Sequence, residues 1–302
     1  IRGLPFASRV INYLDRQTLA LLAPDMKKLF SWNNDDYANL VIGFRLAYTI
    51  GQFLSGRFLD RVGTRKGATI TVAFYSAASI LTPLANGFRS FLSFRCLLGL
   101  GESANWPAAT KAVSEWFPGK ERGLATAFFD SGSSLGGAIA PFLIFWIYER
   151  YGWRLAFIVP GLLGVVWLLV WRWFYHSPEQ HPMISKEELL LLQREQEATG
   201  THKTEDRIPL MVLLKLRETW GTIAARALTD PVWFFITDWF PIYLVSKGFT
   251  LSNSLMAVWV PFLAADIGSY VSGTISGWLV RRGWPLLRAR KVIVMAGGIG
   301  TL

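Results

Sequence analysis

The feature that most limits what this chain can become is a succession of apolar stretches, each about 20 residues long, parted by short polar loops. A helix of that length matches the hydrocarbon core of a bilayer, whereas soluble helices alternate apolar and polar faces. Such stretches run over 38–59, 67–86, 91–113, 122–147, 153–174, 221–246 and 252–280, and a further run from Lys291 to Leu302 starts another. Hydrophobic residues make up 52% and aromatic residues 15% of the 302, a balance foreign to an ordinary soluble enzyme of this length. Stretches this long form helices in lipid, because each then satisfies its own backbone hydrogen bonds. The expectation is an all-α protein crossing a lipid bilayer many times.

Leu4 to Ala23 is a weaker candidate, since Arg2, Pro5, Arg9, Asp15 and Arg16 interrupt it or flank it. Loop charge decides its status. If it spans, the loops with Arg61, Arg65 and Lys66, with Lys120 and Arg122, and with Arg281, Arg282, Arg288, Arg290 and Lys291 all share one side with the basic linker. The other side holds Lys27, Lys28, Arg89, Arg150, Arg154 and Lys247. The richer side belongs in the cytoplasm, and that consistency supports counting the first segment as a helix. The net charge of +10 is spread through these loops and forms no basic face, so no nucleic-acid partner is expected. The chain begins at Ile1 without a signal-peptide pattern.

The spans divide into six within 1–174, a polar linker at 175–220 and a further set at 221–302. In the linker, Ser185-Lys186-Glu187-Glu188 is a capping box before a short amphipathic helix from Leu189 to Gln196. Ser55-Gly56 with Arg61 is echoed by Ser276-Gly277 with Arg282, the mark of a parallel repeat of bundles. The last apolar run breaks off at Leu302. The reading is therefore two six-helix bundles, truncated in this sequence after about eight to nine spans, in a protein working as a monomer.

Among the spans with charge of both signs are the first, with Asp15 and Arg16, and the fourth, with Arg95 and Glu102. Insertion scales put each such residue at roughly 2.5–3.5 kcal/mol at mid-bilayer, so they mark a functional polar site by default. Arg95 and Glu102 are seven residues apart, hence on one helix face about 10 Å apart along the axis, with Gly99 and Gly101 thinning the helix between them. Gly132 and Gly136 form a small-residue packing pair, Pro107, Pro141 and Pro231 are kink positions, and Trp153, Trp171, Trp173, Trp220 and Trp278 sit near span ends as an aromatic belt. The single Cys96 excludes a disulfide framework, and His176, His181 and His202 lie in the linker without metal-ligand spacing. No phosphate-cradling glycine loop is present, so no nucleotide or other cofactor is expected and energy should come from an ion gradient. The spans hold no Ser, His and Asp constellation of a membrane hydrolase, and the chain is not read as an enzyme.

Gly56-Arg57-Phe58-Leu59-Asp60-Arg61-Val62-Gly63-Thr64-Arg65-Lys66, between the second and third spans, resembles the signature loop of the major facilitator superfamily. Gly56 permits close helix approach, Gly63 a tight turn, and Asp60 can meet a helix N-terminus and a cation of the neighbouring bundle. Gly56, Asp60, Arg61, Gly63 and Arg65 are the gating candidates, a charge cluster that forms and breaks during the transport cycle. Ile11-Asn12-Tyr13-Leu14-Asp15-Arg16, then Tyr48-Thr49-Ile50-Gly51-Gln52, then Arg95 through Glu102 resembles the anion:cation symporter family. Leu228-Thr229-Asp230-Pro231-Val232-Trp233, Ala265-Asp266-Ile267-Gly268-Ser269 and Arg282-Gly283-Trp284 are similar to the bacterial hexuronate transporters among them.

That resemblance implies uptake of a monocarboxylate sugar acid, such as glucuronate or galacturonate, by proton symport across the bacterial inner membrane. Asp15 and Glu102 would then be the proton-coupling carboxylates, and Arg16 the cation for the solute carboxylate. Tyr13 and Tyr48 would offer hydroxyls, Arg95 would serve Glu102 or the solute, and Ser133 and Arg226 would complete the solute site. The sequence departs from the hexuronate pattern at Asp130, Ser133, Asp238 and Ile242, and Arg45 adds a cation in the second span. The alternatives are a symporter for another anion (aldonate, dicarboxylate or phosphate) and a non-transporting membrane sensor or scaffold.

Overall fold

The computed structural model describes residues 3–180, 184–185, 187, 190 and 210–300. The linker helix expected at Leu189–Gln196 and its cap fall outside the described residues, apart from Ser185, Glu187 and Leu190. Among the described residues the regular structure is helical: α1 Gly3–Leu29, α2 Asn34–Val62, α3 Thr64–Leu81, α4 Phe88–Glu102, α5 Asn105–Trp116, α6 Gly119–Phe174, α7 Leu210–Leu213, α8 Arg217–Asp238, α9 Phe240–Ser246, α10 Leu251–Arg281 and α11 Leu286–Gly300. By length and composition alone, Thr64–Leu84 and Glu121–Phe174 are apolar enough to cross a membrane.

Local chemistry sets the joints. The Asn33–Asp36 stretch, too polar to count as span, is the cap of α2. Asn33 Oδ1 accepts from the Asp36 amide at 2.8 Å and Asp36 Oδ2 accepts from the Asn33 amide at 3.0 Å, while Asp35 and Asp36 face the positive end of the helix dipole. Gly63 separates α2 from α3 at φ 84°, ψ 155°, a conformation costly for any residue with a Cβ. Gly152 adopts nearly the same one (φ 80°, ψ 176°) inside α6 and divides it into two arms.

Contacts along α6 show that the chain reverses at Gly152. In the first arm, Gly132 faces Phe6, Gly136 faces Val10 and Tyr148 donates to Asp25, so this arm runs parallel to α1. In the second, Trp153 packs edge-on against Phe30 and Trp167 donates to the Leu4 carbonyl, so it runs antiparallel. The same reasoning sets α3 against the second arm, with Ser79 beside Phe157 and Arg65 beside Trp171, and α2 parallel to α4 and α5. The result is an up-and-down bundle of six spans, with α4 and α5 forming one span broken at Ser103–Ala104. Close packing rests on small residues: a Cβ at Gly99 would meet the Phe44 carbonyl at 2.5 Å, and those at Gly132 and Gly136 would meet backbone oxygens of α1 at 2.6 and 2.7 Å. The core holds Leu21, Leu22, Phe91, Phe157, Trp171 and Tyr175, whereas Phe53, Trp173 and Val294 are each about three-quarters exposed.

Candidate functional site

Asp15 and Arg16 are consecutive on α1 and so point about 100° apart, one toward α3 and the other toward α4. Asp15 is 1% exposed, and its Oδ1 lies 2.7 Å from Ser79 Oγ, which is also 2.9 Å from the Phe157 carbonyl oxygen. One hydroxyl proton thus faces two acceptors. A proton on Asp15 would supply the second donor.

Arg16 reaches across to Glu102, which has no solvent exposure. Its Nη2 and Nε donate to Glu102 Oε2 at 2.9 and 3.2 Å, while Glu102 Oε1 has no partner. The guanidinium is walled by aromatic rings: Tyr48 at 4.9 Å, with Tyr13 and Phe44 both at 5.3 Å. An ion pair so buried is held by its mutual attraction, because separating the charges in a dry environment costs several kcal/mol per ion. The expected service of Arg95 to Glu102 falls to Arg16, which makes the ion pair. Arg95 instead packs over Phe44 at 4.7 Å, with Nε and Nη1 unpartnered, close enough to both carboxylates to feel their charge. The reason is geometric: Arg95 and Glu102 share a face but lie two turns apart on one helix, while the Arg16 side chain reaches Glu102 from the facing helix α1.

A second region holds the other solute candidates. A cavity of about 650 Å³ lies between the first arm of α6, α8 and α10, and both Ser133 and Arg226 line it, together with Asp130, Asp230, Trp233 and Asp266. Arg226 Nη1 donates to Asp230 Oδ1 at 3.3 Å, and Ser133 gives its proton to the Asp130 carbonyl at 2.6 Å, leaving the hydroxyl lone pairs available. The two regions are linked by Arg9, which in the sequence reads only as an interruption of the first span. Arg9, buried, pairs with Asp130 at 3.4 Å and lies over Trp106 at 5.0 Å and over Tyr13 at 5.5 Å. Tyr13 therefore carries Arg9 at one side and Arg16 at another. The available signal is the seven-residue spacing of Arg9 and Arg16, which puts both on one face of α1.

The signature loop is tied within its own bundle. Asp60 accepts from Lys111 of α5 at 2.8 Å, and Arg65 Nη2 donates to the Arg172 carbonyl at 2.6 Å, so the cation met by Asp60 belongs to the first bundle and not, as the sequence suggests, to its neighbour. Glu115 joins this end by accepting from the Tyr175 hydroxyl at 2.6 Å. Burial and the Glu115 carboxylate push the Tyr175 phenol above its ordinary range, so it stays a donor. Arg61 is exposed, Gly63 makes the expected turn, and Gly56 has no atom within 4 Å of a Cβ built on it, so the close approach expected there is not made. A charged cross-bundle contact sits at the opposite end. Arg45 of α2 pairs with Asp238 of α8 at 2.7 Å and lies 3.8 Å over Phe234, and Tyr37 donates to the Asp238 carbonyl at 2.6 Å.

The pattern of the Major Facilitator Superfamily matches residues 6–302. The chain is 32% identical over 300 residues to the galacturonate transporter of Dickeya chrysanthemi, covering 98% of this chain and 87% of that protein. It is 34% identical over 301 residues to the D-galactonate transporter of Escherichia coli O6:H1, covering 97% of this chain and 70% of that protein. Among solved structures, a bacterial homologue of the human lysosomal transporter Spinster, inward-facing and occupied, superposes with a TM-score of 0.68 at 17% identity, covering 91% of this chain and 60% of that one. The chain therefore belongs to the major facilitator superfamily, has its fold, and is an integral membrane protein related to transporters rather than to enzymes.

Proposed function

We propose that this chain acts as a proton-coupled symporter that imports a monocarboxylate sugar acid, a hexuronate such as glucuronate or galacturonate, across the bacterial inner membrane by alternating access. In this reading it crosses the bilayer many times as a monomer, with a first bundle at 1–174, a cytoplasmic linker at 175–220 and a second bundle starting at 221. The observation that carries the reading is the buried Arg16–Glu102 pair, joined through Tyr13 and Arg9 to the cavity that holds Ser133 and Arg226.

The mechanism follows from competition for one cation. Arg16 can hold Glu102 or a solute carboxylate in strong charge-assisted bonds, but two carboxylates on one guanidinium repel each other. Protonating Glu102 releases Arg16 for the solute. Solute on Arg16 in turn favours the protonated carboxyl, and this reciprocity couples the two fluxes. Asp15, with its proton shared through Ser79, is the second proton site. Tyr13 and Tyr48 flank the guanidinium where sugar hydroxyls would lie, and Arg95 supplies standing positive charge beside both carboxylates.

Alternating access needs a contact that yields as the bundles rock. Arg45–Asp238 closes one end, while among the described residues Asp60 and Arg65 at the other end bond within the first bundle. With the basic loops in the cytoplasm, the Arg45–Asp238 pair supports a reading in which the outer end is the closed one. An aldonate is the second reading, because the galactonate transporter is as similar to the chain as the galacturonate transporter. Uptake of labelled galacturonate into proteoliposomes, driven by an inward proton gradient and competed by galactonate, glucarate and phosphate, tests both. Accumulation that depends on the gradient and is lost in Glu102→Gln is expected; undiminished accumulation by that variant would remove the coupling role of Glu102.

A further inference from the structure

A carboxyl that exchanges protons at Glu102 needs a path for them, and the first bundle contains one that avoids the solute cavity. Behind the Arg16–Glu102 pair, α3 and α5 bury a set of polar side chains. Tyr75 of α3, 1% exposed, packs its Cβ against Gly101, the residue before Glu102, and its phenol has Ser8 and Asn105 as neighbours. Asn105 Nδ2 donates to Ser8 Oγ at 2.8 Å. Beyond Ser8 and Asn105, between α1, α3, α5 and the second arm of α6, lies a cavity of about 20 Å³ whose wall includes Thr71. A volume of roughly 10–15 Å³ on this measure suffices for a water with polar partners.

Several buried polar atoms around this line have no partner: Glu102 Oε1, both side-chain polar atoms of Asn12, Ser76 Oγ and Asn105 Oδ1. Each costs about 1–3 kcal/mol if left dry, so ordered water is the stable filling. The cavity also touches Pro5, Ala68 and Trp171, which places it toward the Gly63 end of the bundle. The loop-charge asymmetry assigns that end to the cytoplasm.

We propose that protons leave Glu102 for the cytoplasm through Tyr75, Ser8 and this water cavity, inside the first bundle and separate from the path of the solute. The inference rests on Glu102 being a coupling site. The carboxylic O–H bond of Glu102 breaks as an O–H bond to a neighbouring water forms. Tyr75 and Ser8 each accept a proton on one side and release their own on the other, and Asn105 holds the waters in line. The net change is one proton moved from Glu102 to bulk water. Asp15 and Arg16 from α1 and Arg95 from α4 are the charged groups that face Glu102, and none of them lies between Tyr75 and the cavity.

Tyr75→Phe and Ser8→Ala, each in the full protein in proteoliposomes, test the route. Solute counterflow at equal pH needs no net proton release, whereas gradient-driven accumulation does. The route predicts driven uptake of galacturonate or galactonate, and pyranine-reported proton release with it, slowed about tenfold, with counterflow within about twofold of wild type. Driven uptake that stays within about twofold of wild type, or counterflow that falls in the same proportion, overturns it. If one variant fails to fold, the other gives the same split. Gradient-driven accumulation by Glu102→Gln would sink the coupling reading itself; loss there with normal driven uptake in Tyr75→Phe would sink only the route.

Discussion

Arg16 stands at the centre of the mechanism, because its guanidinium is the one cation bonded to a fully buried carboxylate among the described residues. Two single substitutions separate its roles. Arg16→Lys keeps the charge but loses the two-nitrogen grip on Glu102 and the stacking on Tyr48, so solute affinity should fall by roughly 10–100-fold in a binding titration, a loss of about 1.4–2.7 kcal/mol. Unchanged affinity would move the solute carboxylate elsewhere. Arg95→Ala leaves the Arg16–Glu102 pair intact and removes a charge that has unpartnered donors; it should weaken solute binding without abolishing proton dependence. Asp15, Arg16, Arg95 and Glu102 stand out in the sequence because charge in an apolar span is costly, and the structure buries all four or nearly so. Their pairing is not legible in the sequence. Glu102 and its partner stand 86 positions apart, and no local pattern encodes which of two arginines on different helices reaches the carboxylate.

At the scale of elements, the two glycine turns and the helix contacts make separable predictions. Gly63→Ala and Gly152→Ala put a Cβ at φ 84° and φ 80°, and each should cost about 1–3 kcal/mol, read as a lower midpoint in thermal unfolding in detergent. Gly56→Ala, which meets open space in a helix, should leave the midpoint unchanged or raise it slightly. The span boundaries are readable from hydropathy because about 20 apolar residues form one bilayer-length helix. The Asn33 cap and the break at Ser103–Ala104 are not, because a polar cap lies outside the apolar window and the break falls inside one. The small-residue pair Gly132 and Gly136 reads correctly as packing, and the structure adds its partner, the backbone of α1.

For the whole molecule, the difference between the two ends is the informative feature. Arg45 and Asp238 each stand out in the sequence as isolated departures on helices 193 positions apart; the structure joins them as the cross-bundle clasp of one end. Asp238→Asn removes the charge that holds Arg45 and should shift the population toward the state open at that end. Spin labels placed on α2 and α8 near this pair should report a longer mean separation in the variant than in the parent protein, and an unchanged distribution would mean that the pair packs the helices without controlling access.

Competition between Glu102 and the solute carboxylate for Arg16 is tested most directly by calorimetric titration of galacturonate or galactonate across a pH series. In the competition, a solute that takes Arg16 from Glu102 binds together with one proton. Solute affinity of the parent protein should therefore fall as protons become scarcer, by up to tenfold for each pH unit, and Glu102→Gln should bind tightly with no such slope. The same pH slope in Glu102→Gln as in the parent would contradict the competition.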